Sequence, residues 1–215
     1  MYRGVIDGSI VTNLGVTVYE TLAGFFVGSF LGLILGGIIG QSNLVERVFY
    51  PYVIAFQTVP KVAVAPLIVV WFGYGVTSKV VITATIAFFP VLANTIAGLR
   101  SASRDQIDLI VAFDGTRWQA FKYIKLPNAL PYIFVGLDVA IVLAVIGAIV
   151  GEFVGSQAGL GYLILQRNFS LDTAGVFSIL IVLSMMGVGM HACVQAIRKR
   201  VVFWVSHQAD SVSGV

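Results

Sequence analysis

The residues able to do chemistry are few and widely spaced. Lys61 follows Pro60 inside an otherwise apolar stretch, Asp138 stands about two turns into another, and Glu152 lies near the far end of the same one. Lys61 admits two readings: a cation beside a proline kink that faces a water-filled path and attracts an anion, or a side chain that snorkels to an interface. Asp138 is placed within reach of cytoplasmic water. Glu152 either pairs with a polar residue at a gate or sits among headgroups, and Glu20 reads as interfacial. His191 and His207 stand in unlike settings and suggest no metal site. Cys193, the only cysteine, excludes a disulfide within the chain and reads as a small buried side chain. No Gly-x-x-x-x-Gly-Lys-Ser/Thr stretch exists to cradle a nucleotide phosphate, and no catalytic constellation is visible.

Composition says what must position these groups. Of 215 residues 58% are hydrophobic and only 11% charged, and mean hydropathy is +0.96. Soluble domains carry roughly a quarter charged residues, so the inventory is that of a helical bundle in a bilayer. The net charge of +3 is too small to suggest nucleic acid. Thr21–Val45, Val80–Leu99 and Thr173–Ile197 are charge-free over 25, 20 and 25 residues, each enough for the roughly 20 residues of a membrane span. Two further stretches are interrupted, one by Pro60 and Lys61 and one by Asp138. The sequence thus predicts an all-α polytopic membrane domain over 1–200 with about five spans, near 17–40, 46–73, 78–99, 131–153 and 173–197. A polar tail over 201–215 follows. The first segment does not read as a cleaved signal peptide.

Charge placement orients the chain. Nine basic residues (Arg47, Arg100, Arg104, Arg117, Lys122, Lys125, Arg198, Lys199 and Arg200) fall on one side, against Arg3, Lys79 and Arg167 on the other. The positive-inside rule puts the nine in the cytoplasm, with the N-terminus outside and the C-terminus inside. Gly24, Gly28, Gly32, Gly36 and Gly40 form a bare stripe on the first span, fit either for packing within the chain or for a dimer seam. Gly136, Ala140, Ala144 and Ala148 form a similar stripe on the fourth.

The loop over 100–130 is the most patterned polar segment. Ile107, Ile110 and Val111, then Trp118, Phe121 and Ile124, recur at helical spacing, predicting two short amphipathic helices around a turn at Asp114-Gly115. Pro131 then falls near a first-turn position of the next span.

This loop resembles that of the membrane permease subunit of bacterial ATP-binding-cassette importers, of the binding-protein-dependent type. The family's pattern is Glu-Ala-Ala, three residues, Gly, nine residues, Ile-x-Leu-Pro. Here Asp108-Leu109-Ile110, then Asp114 followed by Gly115, then Ile124-Lys125-Leu126-Pro127 keep its spacing with altered chemistry at its start. Thr58 to Ala63, Trp71-Phe72-Gly73, and Glu152 through Gly159-Leu160-Gly161-Tyr162-Leu163 are similar to the branch that carries nitrate, sulfonates, taurine or a pyrimidine precursor of thiamine. Members commonly have six spans, which would put the shortfall here at the N-terminus.

The resemblance implies a permease in the bacterial inner membrane, itself no enzyme and binding no cofactor. Its partners would be two copies of a cytoplasmic ATPase carrying ATP and Mg, a periplasmic or lipid-anchored substrate-binding protein, and a second permease, giving a homodimer. Asp108, Asp114, Gly115, Arg117 and Trp118 would make the ATPase contact, with Gly115 permitting the turn, while Lys61, Asp138 and Glu152 would line the path. An ion- or proton-coupled secondary transporter, or a non-transporting scaffold, is the alternative.

Overall fold

The computed structural model describes residues 9–205. Helices α1 (Ser9–Gln41), α2 (Asn43–Thr58), α3 (Lys61–Phe72), α4 (Val76–Arg100), α5 (Arg104–Ala112) and α6 (Arg117–Ala120) follow in order. A π turn, Phe121–Lys125, joins α6 to α7 (Leu126–Gly155), then α8 (Leu160–Phe169), α9 (Thr173–Val201) and a 3-10 turn, Phe203–Val205. The described residues are all-α. Four helical stretches, Ser9–Gln41, Val76–Arg100, Arg117–Gly155 and Thr173–Val201, are long and apolar enough to cross a membrane, and α2 with α3 makes a fifth if the bent pair is one span. Hydroxyls inside these helices bond their own backbone, as Thr85 does to Val81 O (2.8 Å) and Thr95 to Val91 O (2.7 Å). Such hydroxyls find a partner without water, whereas those of Thr21, Ser29 and Thr83 are buried without one among the described residues.

α4 is the axis of the bundle, and the glycine stripe of α1 lies against it. A Cβ on Gly24 would sit 2.3 Å from Thr83 Cβ, one on Gly28 2.4 Å from Ala84 O, and one on Gly36 2.7 Å from Thr95 Cβ. The Gly32 and Gly40 positions meet Phe88 O at 2.9 Å and Leu99 at 3.0 Å. The stripe is therefore a seam inside the chain, with no room for a second copy. The partners rise in number together, so α1 and α4 run parallel.

That parallel pairing decides what α2 and α3 do. The chain leaves α1 at the level of Arg100 and must re-enter α4 at Val76, so the bent pair carries it the full length of the bundle, about 35 Å at 1.5 Å per residue. A re-entrant loop would leave α1 and α4 antiparallel. The pair bends by 88° because Pro60 follows Val59. Proline disfavours helical backbone at the residue before it, and Val59 is extended (φ −62°, ψ 127°).

α7 runs antiparallel on the other side of α4. Gly98 faces Ala129 and Tyr132, Gly136 faces Pro90 and Val91, and Gly151 faces Lys79. Ala140, Ala144 and Ala148 are fully buried. α9 returns beside α7 and leaves most of its surface open. Nine basic residues collect at one end of the bundle, called here the basic end; the opposite end carries Lys79 and Arg167.

Several expectations shift. The first helix begins at Ser9 rather than near 17. The helix that carries the fourth expected span starts as early as Arg117, because Thr116 caps a helical stretch that runs through the π turn; Pro131 is internal to it. The wide turn accommodates Pro127: Leu126 N–H reaches back to Phe121 O, which relieves the ring's clash with the preceding turn. Cys193 is exposed, not buried. His207 and most of the expected tail lie outside the described residues.

Candidate functional site

The loop between α4 and α7 is built for exposure. α5 starts with a capping box in which Ser103 Oγ accepts from Gln106 N–H (3.2 Å) and Ser103 N–H donates to Gln106 Oε1 (3.3 Å). α6 repeats the device with Thr116 and Gln119, so two helices too short to be stable alone are closed at their N-termini. Asn128 donates to Gln106 Oε1 (3.2 Å), which pins α5 to the start of α7. α5 has no buried residue. Phe113, Trp118, Val111 and Leu109 are 80, 67, 61 and 58% exposed. Asp108, Asp114 and Arg117 stand exposed among them without an ion pair among the described residues.

The turn after α5 corrects one assignment. The left-handed residue is Asp114 (φ 54°), not Gly115; aspartate tolerates this region better than most residues. Gly115 is needed for a different reason. Its N–H donates to Ile110 O (2.8 Å), and a Cβ there would lie 2.4 Å from Ile110 Cγ2 and 2.7 Å from Ile110 O.

At the opposite end the charges are buried. Glu20, Lys79 and Glu152 are each 1% exposed and Thr17 is 0%, so Glu20 is buried rather than interfacial and Glu152 is paired with polar residues. The first N–H groups around the start of α8 have no partner in that helix. Side chains of other helices take them: Gly159 N–H donates to Asn13 Oδ1 (2.6 Å), Leu160 N–H to Thr17 Oγ1 (2.8 Å) and Gly161 N–H to Glu152 Oε2. Thr17 Oγ1 in turn donates to Glu152 Oε1 (2.7 Å).

The carboxylate also complements the positive end of the α8 dipole. Gly159 (φ 107°) and Gly161 are glycine because a Cβ would fall 2.3 Å and 2.8 Å from the Glu152 carboxyl group. Lys79 Nζ donates to Tyr74 O (2.5 Å), Gly75 O (3.1 Å) and Gly155 O (2.5 Å), closing the C-terminus of α7 onto the start of α4. Sequence reasoning missed Asn13, Thr17 and Lys79. The signal was Gly159-x-Gly161 trailing a lone glutamate.

Asp138 is buried as well. It is 9% exposed and clamps α7 to α9: Gln195 Nε2 donates to its Oδ2 at 2.6 Å and Arg198 Nη1 approaches at 3.5 Å. His191 Nδ1 lies 3.9 Å from Oδ1. Level with Val91 of α4, Asp138 sits deeper than two turns. Lys61, by contrast, is half-buried at the break between α2 and α3. Its Nζ bonds Gln57 O (2.9 Å) and lies 4.5 Å over the Phe89 ring, halfway along α4.

The fold and these two ends define a membrane helical bundle with an exposed amphipathic docking loop. The chain matches the family described as "Binding-protein-dependent transport system inner membrane component" over residues 10–203, and it belongs to that family. It is 36% identical to the formylaminopyrimidine transport permease protein ThiX of Halalkalibacterium halodurans, over 92% of this chain and 79% of that one. It is 37% identical to the riboflavin transport system permease protein RibX of Chloroflexus aurantiacus, over 94% and 76%. Against the putative aliphatic sulfonates transport permease protein SsuC of Bacillus subtilis identity is 30%, over 93% and 72%.

Its fold matches a chain of the inward-facing MetNI methionine ABC transporter with a TM-score of 0.79 at 19% identity, covering 91% and 97%. The protein is thus an ATP-binding-cassette importer permease subunit of the inner membrane. It is a transport component rather than an enzyme, and its family works with an ATPase and a substrate-binding protein.

Proposed function

We propose that α5 and α6 are the coupling segment of this permease and that the bundle forms one half of a translocation path. The observation that carries this is the exposure of Leu109, Val111, Phe113 and Trp118 at the basic end. Apolar groups presented outside the spans on a doubly capped, pinned scaffold fit a protein partner rather than lipid. In this reading Asp108 and Arg117 give the ATPase charge-assisted hydrogen bonds, and Asp114 and Gly115 set the angle between the helices. The ATPase binds ATP and Mg, closes, and moves the segment; the spans rock in response because ATP and the loaded binding protein favour different states. The basic end is cytoplasmic, the bent pair is a crossing, and the five crossings put the N-terminus outside.

The assembly has two permease copies and two ATPases. Support for a second copy comes from Lys61, a cation at mid-depth on the most exposed pair of helices, which lipid would not tolerate. Facing a water-filled path, it favours a small anion such as a sulfonate or nitrate. The relatives' names leave a pyrimidine heterocycle equally open as the cargo. Trp118→Ala with Asp108→Ala, assayed by co-purification with the ATPase, tests the coupling assignment. Undiminished association and transport would exclude it. Replacing Lys61 with Gln and measuring transport of a sulfonate against a neutral pyrimidine separates the two cargo classes.

A further inference from the structure

A cavity of about 720 Å³ opens at the basic end, bounded by the last residues of α1 and α4 and the first residues of α5 and α6. Arg100, Arg104, Arg117 and Lys125 line it together, with Gly40 and Leu99 among its walls. Arg100 pairs with Glu46. Arg104, Arg117 and Lys125 have no carboxylate partner among the described residues. The carbonyl ends of α1 and α4 offset part of this charge, each worth about half an elementary charge. Glu46 offsets one cation. About two positive charges are left over, converging on one hollow, and the N-termini of α5 and α6 add to them rather than subtract.

Orientation alone does not require this arrangement. The positive-inside rule is met by basic residues anywhere on that end, as Lys199 and Arg200 meet it on the exposed last turn of α9. Four cations gathered around one cavity repel each other unless an anion joins them. The guanidinium groups match a phosphate in forked geometry, and the cavity lies where α1 and α4 end, at the depth of lipid headgroups.

We propose that this cavity binds a phosphate-bearing anion, and that the bound phosphate fastens the α5–α6 segment to α1 and α4. Arg100 comes from a span, Arg104 and Arg117 begin the two loop helices, and Lys125 lies in the π turn. One phosphate therefore touches both the spans and the segment that moves against them. The phosphate belongs either to an anionic lipid of the adjacent leaflet or to a soluble molecule. The inference does not depend on the cargo; it shares Arg117 with the proposed ATPase contact, and the variants below leave Arg117 in place.

The test uses the full-length chain in mild detergent with phosphatidylglycerol, phosphatidylcholine or inorganic phosphate as probes, read by native mass spectrometry and thermal unfolding. Phosphatidylglycerol is expected to stay bound and to raise the melting temperature more than phosphatidylcholine, with Arg104→Gln/Lys125→Gln losing at least about fivefold of that preference. Lys199→Gln/Arg200→Gln removes the same charge from the same end outside the cavity and is expected to keep it. Stabilisation by inorganic phosphate that needs Arg104 and Lys125 would support the site and make its source soluble. Equal loss in both double variants would overturn the proposal. So would a wild-type protein that neither prefers phosphatidylglycerol nor responds to phosphate, an outcome that needs no variant to fold.

Discussion

The two ends of this bundle handle polar groups in opposite ways. At the end of Glu152, the termini of α7 and α8 are closed by side chains from other helices: Asn13, Thr17 and Glu152 hold the start of α8, and Lys79 holds the end of α7. At the basic end, α5 and α6 are closed by their own capping boxes, and their apolar and charged groups point outward. The first arrangement ties α1, α4, α7 and α8 into one body. The second leaves a rigid surface whose bonding is unfinished. The closed end is satisfied internally; the open end keeps its groups available, as the proposed coupling role requires.

Substitutions at the closed end should be the most damaging. Gly159→Val combines a left-handed backbone with a Cβ 2.3 Å from the Glu152 carboxyl carbon. Strain and overpacking together cost on the order of 3–5 kcal/mol, and size-exclusion profiles should show loss of monodisperse protein. Glu152→Ala leaves Gly161 N–H unpaired and takes away the nearer acceptor of the Thr17 hydroxyl, for about 1–3 kcal/mol. Glu152→Gln should recover much of the lost thermal stability by keeping an acceptor. If Ala and Gln behave alike, the carboxylate's hydrogen bonds are not what holds α8.

At the open end stability should respond less. Gly115→Ala meets Ile110 at 2.4 Å and should cost about 1–2 kcal/mol, with a shifted α5–α6 angle that weakens ATPase association. Trp118→Ala should change the melting temperature least, within about 0.5 kcal/mol for an exposed side chain, yet reduce ATPase co-purification at least about tenfold, as an interface anchor would. A large loss of stability from Trp118→Ala would erase the contrast between the ends.

Much of the fold could be read directly from the chain. Charge-free runs located the spans because a bilayer forbids unpaired polar groups, a constraint that acts on each segment alone. The loop helices were visible in the spacing of Ile107, Ile110, Trp118 and Phe121. The partners of Asp138, Glu152, Glu20 and Lys79 were not legible because local sequence gives depth but not neighbours. Each is matched by residues far away in number, such as Gln195 for Asp138 and Thr17 for Glu152.

Sequence by itself therefore determined the all-α membrane class, the charge asymmetry and the family, since these follow from composition, periodicity and a motif along one dimension. Tertiary structure alone decided that the glycine stripe packs against α4, and that the resulting parallel helices force α2 and α3 across the bundle. It also decided that Thr17, Lys79 and Glu152 close one end, and that four cations line a cavity at the other. The physical reason is the same in each case. Burial, close approach and charge balance belong to pairs of segments, and only folding chooses the pairs.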